Sequence, residues 1–365
     1  MISTPVFVNT PQQLQEAIAS WQGKPWLTVD TEFLRVDTYR PKLCLVQVGD
    51  GENGYVIDAI AIHDLAPLFA RLADTATLKI FHAAGQDLEI FSQLAGSCPA
   101  PLFDTQLAAS LLGLGDQLGY AALVEKRLGV VLDKSLSRTD WSRRPLSTAE
   151  LAYAAADVTC LAALYPPLAA ELETRGRTAW LQEDAARACN IEQYTVQPEQ
   201  AWQRLKGLAR LDAKAQRIAA RIAAWRETEA VAKNRPRGWI VEDEAVYRIA
   251  ERRPATREAL ALLNVLPPKT LERHAQALLA AVALAEGDPA TALAADERLG
   301  AEQKARLNRL REVVQAAAAS HGVPAGLLAP RAELDALMQN GASASVRVLT
   351  GWRRAIVGEA LLAVT

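Results

Sequence analysis

The stretch W-L-T-V-D-T-E-F, residues 26–33, decides how the first half of the chain is read. Trp26 to Val29 is apolar and rich in β-forming residues, which predicts a strand running into Asp30. Side chains at i and i+2 of a strand leave from the same face, so Asp30 and Glu32 should project together. Working outward, L-C-L-V-Q-V (43–48) predicts a second strand. G-Y-V-I-D (54–58) predicts a third, after the turn-prone G-D-G-E-N-G (49–54), and L-K-I-F-H (78–82) a fourth. Helical periodicity at 64–72, 87–94 and 105–112 alternates with these runs. Three early strands joined by turns, then strand–helix alternation, predict an α/β domain with a mixed sheet and helices against its faces.

Strand signals vanish after residue 115. Ser147 and Glu150 have the spacing of a capping box, which predicts a long helix from Ala149 towards Tyr165, kinked or ended by Pro166 and Pro167. Q-P-E-Q (197–200) and G-D-P (287–289) read as joints. They divide the chain into 1–195, the mixed-sheet domain, and two all-helical blocks, 196–287 and 288–365.

Four carboxylates stand in fixed order along this frame: Asp30 and Glu32, Asp87 in F-H-A-A-G-Q-D, and Asp157 in Y-A-A-A-D. Asp87 follows the fourth strand and a Gly85 turn, at the start of a helix. Tyr153 and Asp157 are four apart on the long helix and therefore share a face. Hard cations such as Mg²⁺ or Mn²⁺ take oxygen ligands and keep several waters, so a few carboxylates suffice to hold them. Two such cations about 3.5–4 Å apart can serve both ends of an in-line displacement at phosphorus. Without metal these acids repel one another, and at least one should have a raised pKa. Taken singly each acid has an ordinary explanation: Asp87 as a helix N-terminal acid, Tyr153 as core. Together they point to phosphodiester hydrolysis at a two-cation site.

The bulk numbers are those of a globular chain: 365 residues, 50% hydrophobic, 22% charged, net charge −2. Locally the balance differs. Residues 201–240 hold ten Lys/Arg against three acids, a net +7, so the remainder carries −9. Cys44, Cys98, Cys160 and Cys189 show no C-x-x-C spacing and read as buried thiols in a reducing compartment. The N-terminus lacks a basic start followed by a long apolar core, and no apolar run approaches the length of a membrane span. A cytoplasmic location with no membrane partner is expected.

The motifs together resemble the ribonuclease D family of the DEDD 3′→5′ exonuclease superfamily, in the subgroup with tyrosine in the third motif. V-D-T-E-F resembles its first motif, H-A-A-G-Q-D-L-E-I-F (82–91) its second and Y-A-A-A-D-V its third. The flanks L-C-L-V-Q-V, F-D-T-Q-L-A and D-W-S-R-R-P-L-S (140–147) resemble it too, over residues 20–190 in all. The resemblance implies an RNase H-like fold and an exoribonuclease acting on RNA such as tRNA precursors, with nucleoside 5′-monophosphates as product. It implies that Asp30, Glu32 and Asp157 hold the cation that activates water, that Asp30 bridges to a second cation served by Asp87, and that Tyr153 positions the nucleophile. Thr31 through Phe33 would lie against the terminal nucleotide, with His82 near the site. A DNA exonuclease and a catalytically silent RNA-binding scaffold are the competing readings. The fold leaves oligomeric state open, with a monomer favoured.

A-W-Q-R-L-K-G (201–207), residues 234–250 and L-N-V-L-P-P-K-T-L-E-R-H (263–274) resemble the helicase-and-RNase-D C-terminal (HRDC) domain, and residues 292–365 resemble a second one more weakly. Lys206, Arg210, Lys214, Arg217 and Arg221 recur at three- and four-residue steps, as a helical stripe facing phosphates would. Arg210, Lys214 and Arg217 are the expected substrate contacts. Core packing is the expected role of Trp202, Trp225 and Trp239, with stacking on bases as the alternative.

Overall fold

The structure, a computed structural model, describes residues 5–133, 135–136, 139–289, 291–293 and 300–364. The first four residues of the N-terminal stretch, and part of the region expected to open the third domain, lie outside these. The chain forms two compact units: Met1–Leu34 with Leu43–Tyr194 and Leu299–Thr365, and Arg35–Lys42 with Thr195–Arg298.

In the first unit the elements run β1 (Val6–Val8), α1 (Pro11–Ser20), β2 (Trp26–Leu34), β3 (Lys42–Gly49), β4 (Gly54–Asp58), α2 (Ala66–Ala73), β5 (Leu78–Phe81), α3 (Gly85–Ala95), β6 (Leu102–Asp104), α4 (Thr105–Leu111), α5 (Tyr120–Leu128), α6 (Thr148–Thr174) and α7 (Thr178–Ala188). One sheet has the order β1-β4-β3-β2-β5-β6. β1 is parallel to β4, β3 antiparallel to β4, and β5 parallel to both β2 and β6. This is the mixed sheet expected from the sequence. The sequence reading did not locate β1, α1 or β6. Two of these are strands of three residues, too short to show a period of two.

Ser147 and Glu150 form the expected reciprocal capping box of α6, and of the two outcomes expected at Pro166 and Pro167 an ending is excluded: the helix runs 27 residues, through both prolines. Both prolines are exposed, whereas Leu161, Leu164, Leu168 and Leu172 are buried. A proline inside a helix costs about 3 kcal/mol, and each fully buried leucine contributes about 1.5–3 kcal/mol. The apolar face therefore outweighs the two lost donors, and the orphaned turn lies on the solvent side. By length and composition α6 could cross a membrane, one 18-residue stretch of it having a mean hydropathy of 1.3, although Asp157 and Glu171 interrupt its apolar run. Here its leucines belong to the hydrophobic core that packs beneath the sheet.

The second unit contains α8 (Ala213–Lys233), α9 (Arg237–Ile240), α10 (Asp243–Arg252), α11 (Arg257–Leu262) and α12 (Pro268–Leu284) around Ile218, Ile222, Val246, Ile249 and Leu278. At its centre Glu227, 1% exposed, takes hydrogen bonds from Tyr39, Arg204 and Arg237.

The C-terminal block comprises α13 (Ala301–His321), α14 (Ala325–Leu328), α15 (Arg331–Asn340), α16 (Gly351–Arg353) and α17 (Glu359–Val364). Sequence spacing sets it apart as a third domain. In the structure Leu307, Leu310, Val314, Leu337 and Leu361 join the same hydrophobic cluster as the sheet. Arg353, 1% exposed, pairs with both carboxylate oxygens of Asp184 at 2.6 and 2.8 Å, and Trp352 stacks on Trp180 at 4.6 Å.

Candidate active site

β2 carries Asp30 and Glu32 on one face, as its pleat requires. α3 begins two residues before Asp87, and α6 carries Tyr153 and Asp157 one turn apart. Two contacts lock these elements together. The Thr28 hydroxyl donates to the Val158 carbonyl at 2.8 Å, fixing α6 against β2. Thr31 donates to an Asp87 carboxylate oxygen, tying the start of α3 to the same strand. The turn before α3 is held by Asp104, which accepts from the backbone N–H groups of Ala83 and Ala84 at 3.0 Å each.

The Asp30 charge acts on each of Glu32, Asp87 and Asp157. Burial pushes Glu32 up to about 9, helped by Asp30, Asp157 and Asp87. Burial, then Asp30, pushes Asp157 up to about 8. Burial raises Asp30 itself to about 6, against a hydrogen bond from the Thr31 backbone. Asp87 sits in the first turn of α3, where the helix dipole favours a carboxylate by about 0.3–1 kcal/mol. Burial and the Asp30 charge overcome that preference, and its pKa rises well above the ordinary value. Tyr153 is pushed up to about 12 by burial and by Asp157, Glu32 and Asp30. None of the four acids has an ion-pair partner among the described residues.

Among the described residues no group of three or more His, Cys, Asp or Glu side chains is spaced to hold a metal ion by itself. The donor set nevertheless fits hard cations that keep several of their own waters and need only one or two carboxylates each. Four mutually repelling, poorly solvated carboxyl groups and no protein cation form a site that divalent charge would relieve.

Several supporting residues escaped the sequence reading. Tyr120 donates its hydroxyl to the Asp157 carbonyl, and its ring packs on His82 at 5.3 Å. His82 Nδ1 lies 2.9 Å from the Thr105 hydroxyl, which itself donates to the Phe81 carbonyl. The Thr105 proton being used, Nδ1–H is the donor to Thr105. Burial holds the His82 pKa below its usual value. His82 is thus held between the Tyr120 ring and the Thr105 hydroxyl. Thr31 is buried and committed to Asp87; Phe33 is half-buried against the core. Trp141 stacks on Tyr153 at 6.0 Å. Arg144 grips both oxygens of Asp58 at 2.6 and 2.7 Å, anchoring the segment that carries Trp141. D-W-S-R-R-P-L-S was the available signal for these two. A cleft of about 560 Å³ lined by Tyr120, Val131, Leu132, Tyr153 and Asp157 opens beside the acids.

The basic stripe is rearranged. α8 starts at Ala213, so Lys206 and Arg210 lie before it rather than on it, exposed. Lys214 donates to the Ala285 carbonyl at 2.7 Å, Arg217 to the Thr291 carbonyl at 3.0 Å, and Arg221 grips Asp288 with two bonds. These side chains bind the segment following α12.

A family model for 3′-5′ exonucleases matches residues 5–173, and one for the HRDC domain matches 215–282. Over 366 residues the chain is 41% identical to the ribonuclease D of Granulibacter bethesdensis, covering 99% of this chain and 92% of that one. It is 40% identical to the ribonuclease D of Nitrobacter hamburgensis over 366 residues, covering 98% and 94%. The crystal structure of Escherichia coli RNase D, an exoribonuclease involved in structured RNA processing, aligns with a TM-score of 0.90 at 30% identity, covering 99% of this chain and 98% of that one.

Proposed function

Since this chain belongs to the ribonuclease D family, we propose that it trims RNA precursors, tRNA among them, at a two-cation site formed by Asp30, Glu32, Asp87 and Asp157 in the cytoplasm. It is a 3′→5′ exoribonuclease, a hydrolase with an RNase H-like exonuclease domain and an HRDC domain. The observation that carries the site is the cluster of four carboxyl groups without ion-pair partners among the described residues, their pKa values raised by burial and, at Glu32, Asp87 and Asp157, by the Asp30 charge. Two Mg²⁺ or Mn²⁺ ions held there would supply the charge that activates water and stabilises the leaving oxygen.

The chain's own residues set the geometry. Asp30 perturbs the other three acids and is the centre of the set. Thr31 fixes the Asp87 rotamer. Tyr153, with its pKa near 12, keeps its proton at neutral pH and orients the attacking water by hydrogen bonding instead of taking its proton. Water adds at phosphorus, the bond to the preceding 3′ oxygen breaks, and a nucleoside 5′-monophosphate leaves. The backbone from Thr31 to Phe33 would contact the terminal nucleotide.

A timed digestion of end-labelled RNA, with and without chelator, tests this. Mononucleotides appearing from the 3′ end, and their loss with chelator, are expected. Internal cuts, chelator-resistant hydrolysis or stronger action on DNA of the same sequence would each overturn part of the reading.

A further inference from the structure

Trp202 and Trp225 pack against the core of the second unit, as expected from sequence, but Trp239 does not. Its side chain is 62% exposed, and the Arg235 guanidinium lies 5.5 Å from its ring centroid. Arg235 is steadied there by the Asp37 carbonyl at 3.2 Å and carboxylate at 3.6 Å. Trp239 forms one wall of a cleft of about 590 Å³, with Glu242, Asn264, Leu266, Pro268 and Thr270 among the other lining residues. Lys269, between two lining residues in the first turn of α12, is exposed. An indole with an open face, a guanidinium beside it and a second cation at the rim complement an aromatic base joined to a phosphate. Glu242 supplies an acceptor for a sugar hydroxyl. An apolar peptide would leave both cations and Glu242 unused.

We propose that this cleft holds one unpaired nucleotide of single-stranded RNA, its base stacked on Trp239 and its phosphate met by Arg235 and Lys269. The proposal rests on the RNA-processing reading above for its choice of RNA. The site lies among the HRDC residues and is separate from the four acids in sequence.

The test uses the full chain as wild type, Trp239→Ala and Trp239→Phe. Binding of a long single-stranded RNA is measured in chelator, beside binding of an abasic strand of equal length. Hydrolysis of a dinucleotide in Mg²⁺ is measured in parallel. Trp239→Ala should weaken binding of the base-bearing strand about tenfold, and Trp239→Phe should recover most of it. The abasic strand should not distinguish wild type from Trp239→Ala, and dinucleotide hydrolysis should be unchanged. Equal affinity of wild type and Trp239→Ala, or an equal loss on the abasic strand, would overturn the proposal. So would altered self-association of Trp239→Ala with unaltered RNA binding, which would make the face a contact between copies. If wild type hydrolyses no RNA at all, the exonuclease reading fails while the stacking measurement still stands or falls by itself.

Discussion

The acid cluster of the first unit and the basic face of α8 are alike in sequence: like charges at structural spacing. The structure treats them oppositely. Asp30, Glu32, Asp87 and Asp157 are drawn together and partly buried, and none has a cationic partner among the described residues. Lys214 and Arg221 pair with Glu286 and Asp288, while Arg204 and Arg237 share Glu227. Gathering uncompensated charge opposes folding and persists when something outside the chain stabilises it. Gathering compensated charge is a way to fasten one segment to another. The difference teaches that the charge surplus of residues 201–240 is a weaker guide to RNA contact than the small set of acids is to chemistry.

The largest effect should come from removing the centre of the acid set. Asp30→Asn or Asp157→Asn is expected to lower hydrolysis of 3′-labelled RNA by at least about 10³-fold, because charge stabilisation is lost at both ends of the displacement. Retained activity in either variant would break the comparison at its stronger side. Tyr153→Phe removes one hydrogen bond to water and no ligand, so a loss of about 10- to 100-fold in turnover is expected. Its apparent cation affinity, read from activity against Mg²⁺ concentration, should stay close to wild type.

A stability measurement sharpens the same point. Asp30, Asp157 and Glu32 have folded pKa values near 6, 8 and 9, all above their ordinary values. Protons are therefore retained in the folded state that the unfolded chain has already released. The contribution of these acids to stability in chelator should fall as pH rises from 5 to 8, by on the order of 1 kcal/mol per pH unit for each proton retained. His82 and His274, both lowered by burial, oppose this fall within the window, and Lys79, lowered to about 8 by burial, opposes it above the window. Thermal melts of wild type and Asp30→Asn in chelator isolate the site: the variant should show a shallower fall and a higher Tm at pH 8. A wild-type Tm that climbs across this window would contradict the assignment of raised values.

The smallest effects belong to the basic side. Arg221→Ala should lower the stability of the second unit by about 0.5–1 kcal/mol, the range for exposed pairs, with little change in RNA affinity. Arg210→Ala should leave the melt alone and flatten the salt dependence of RNA binding by about one unit of slope. If the two variants exchange these phenotypes, the helix face and not the preceding turn meets phosphate.

Much of the catalytic half was legible because its signals are local. A strand ending in D-x-E places two carboxylates on one face whatever surrounds it, and Y-x-x-x-D on a capped helix does the same. The short strands β1 and β6 were not legible, nor was the support Tyr120; Thr105 and Arg144 stood in quoted flanks, but their roles arise from distant partners, Phe81 and Asp58, as that of Tyr120 does from Asp157. That the helix continues past Pro166 and Pro167 was not legible, because a local breaker signal met a continuous buried leucine face.

The sequence by itself determined the four longer strands and the acid-bearing helix starts of the sheet domain, the order of the four acids and the chemistry their oxygens favour. Those follow from pleat, helical turn and ligand hardness, which act over a few residues. Only the tertiary structure decided that residues after Leu299 share the sheet's core, that Lys214 and Arg221 are engaged within the chain, and that Trp239 faces solvent. Burial and charge pairing depend on what a distant segment brings alongside, and no local pattern records that.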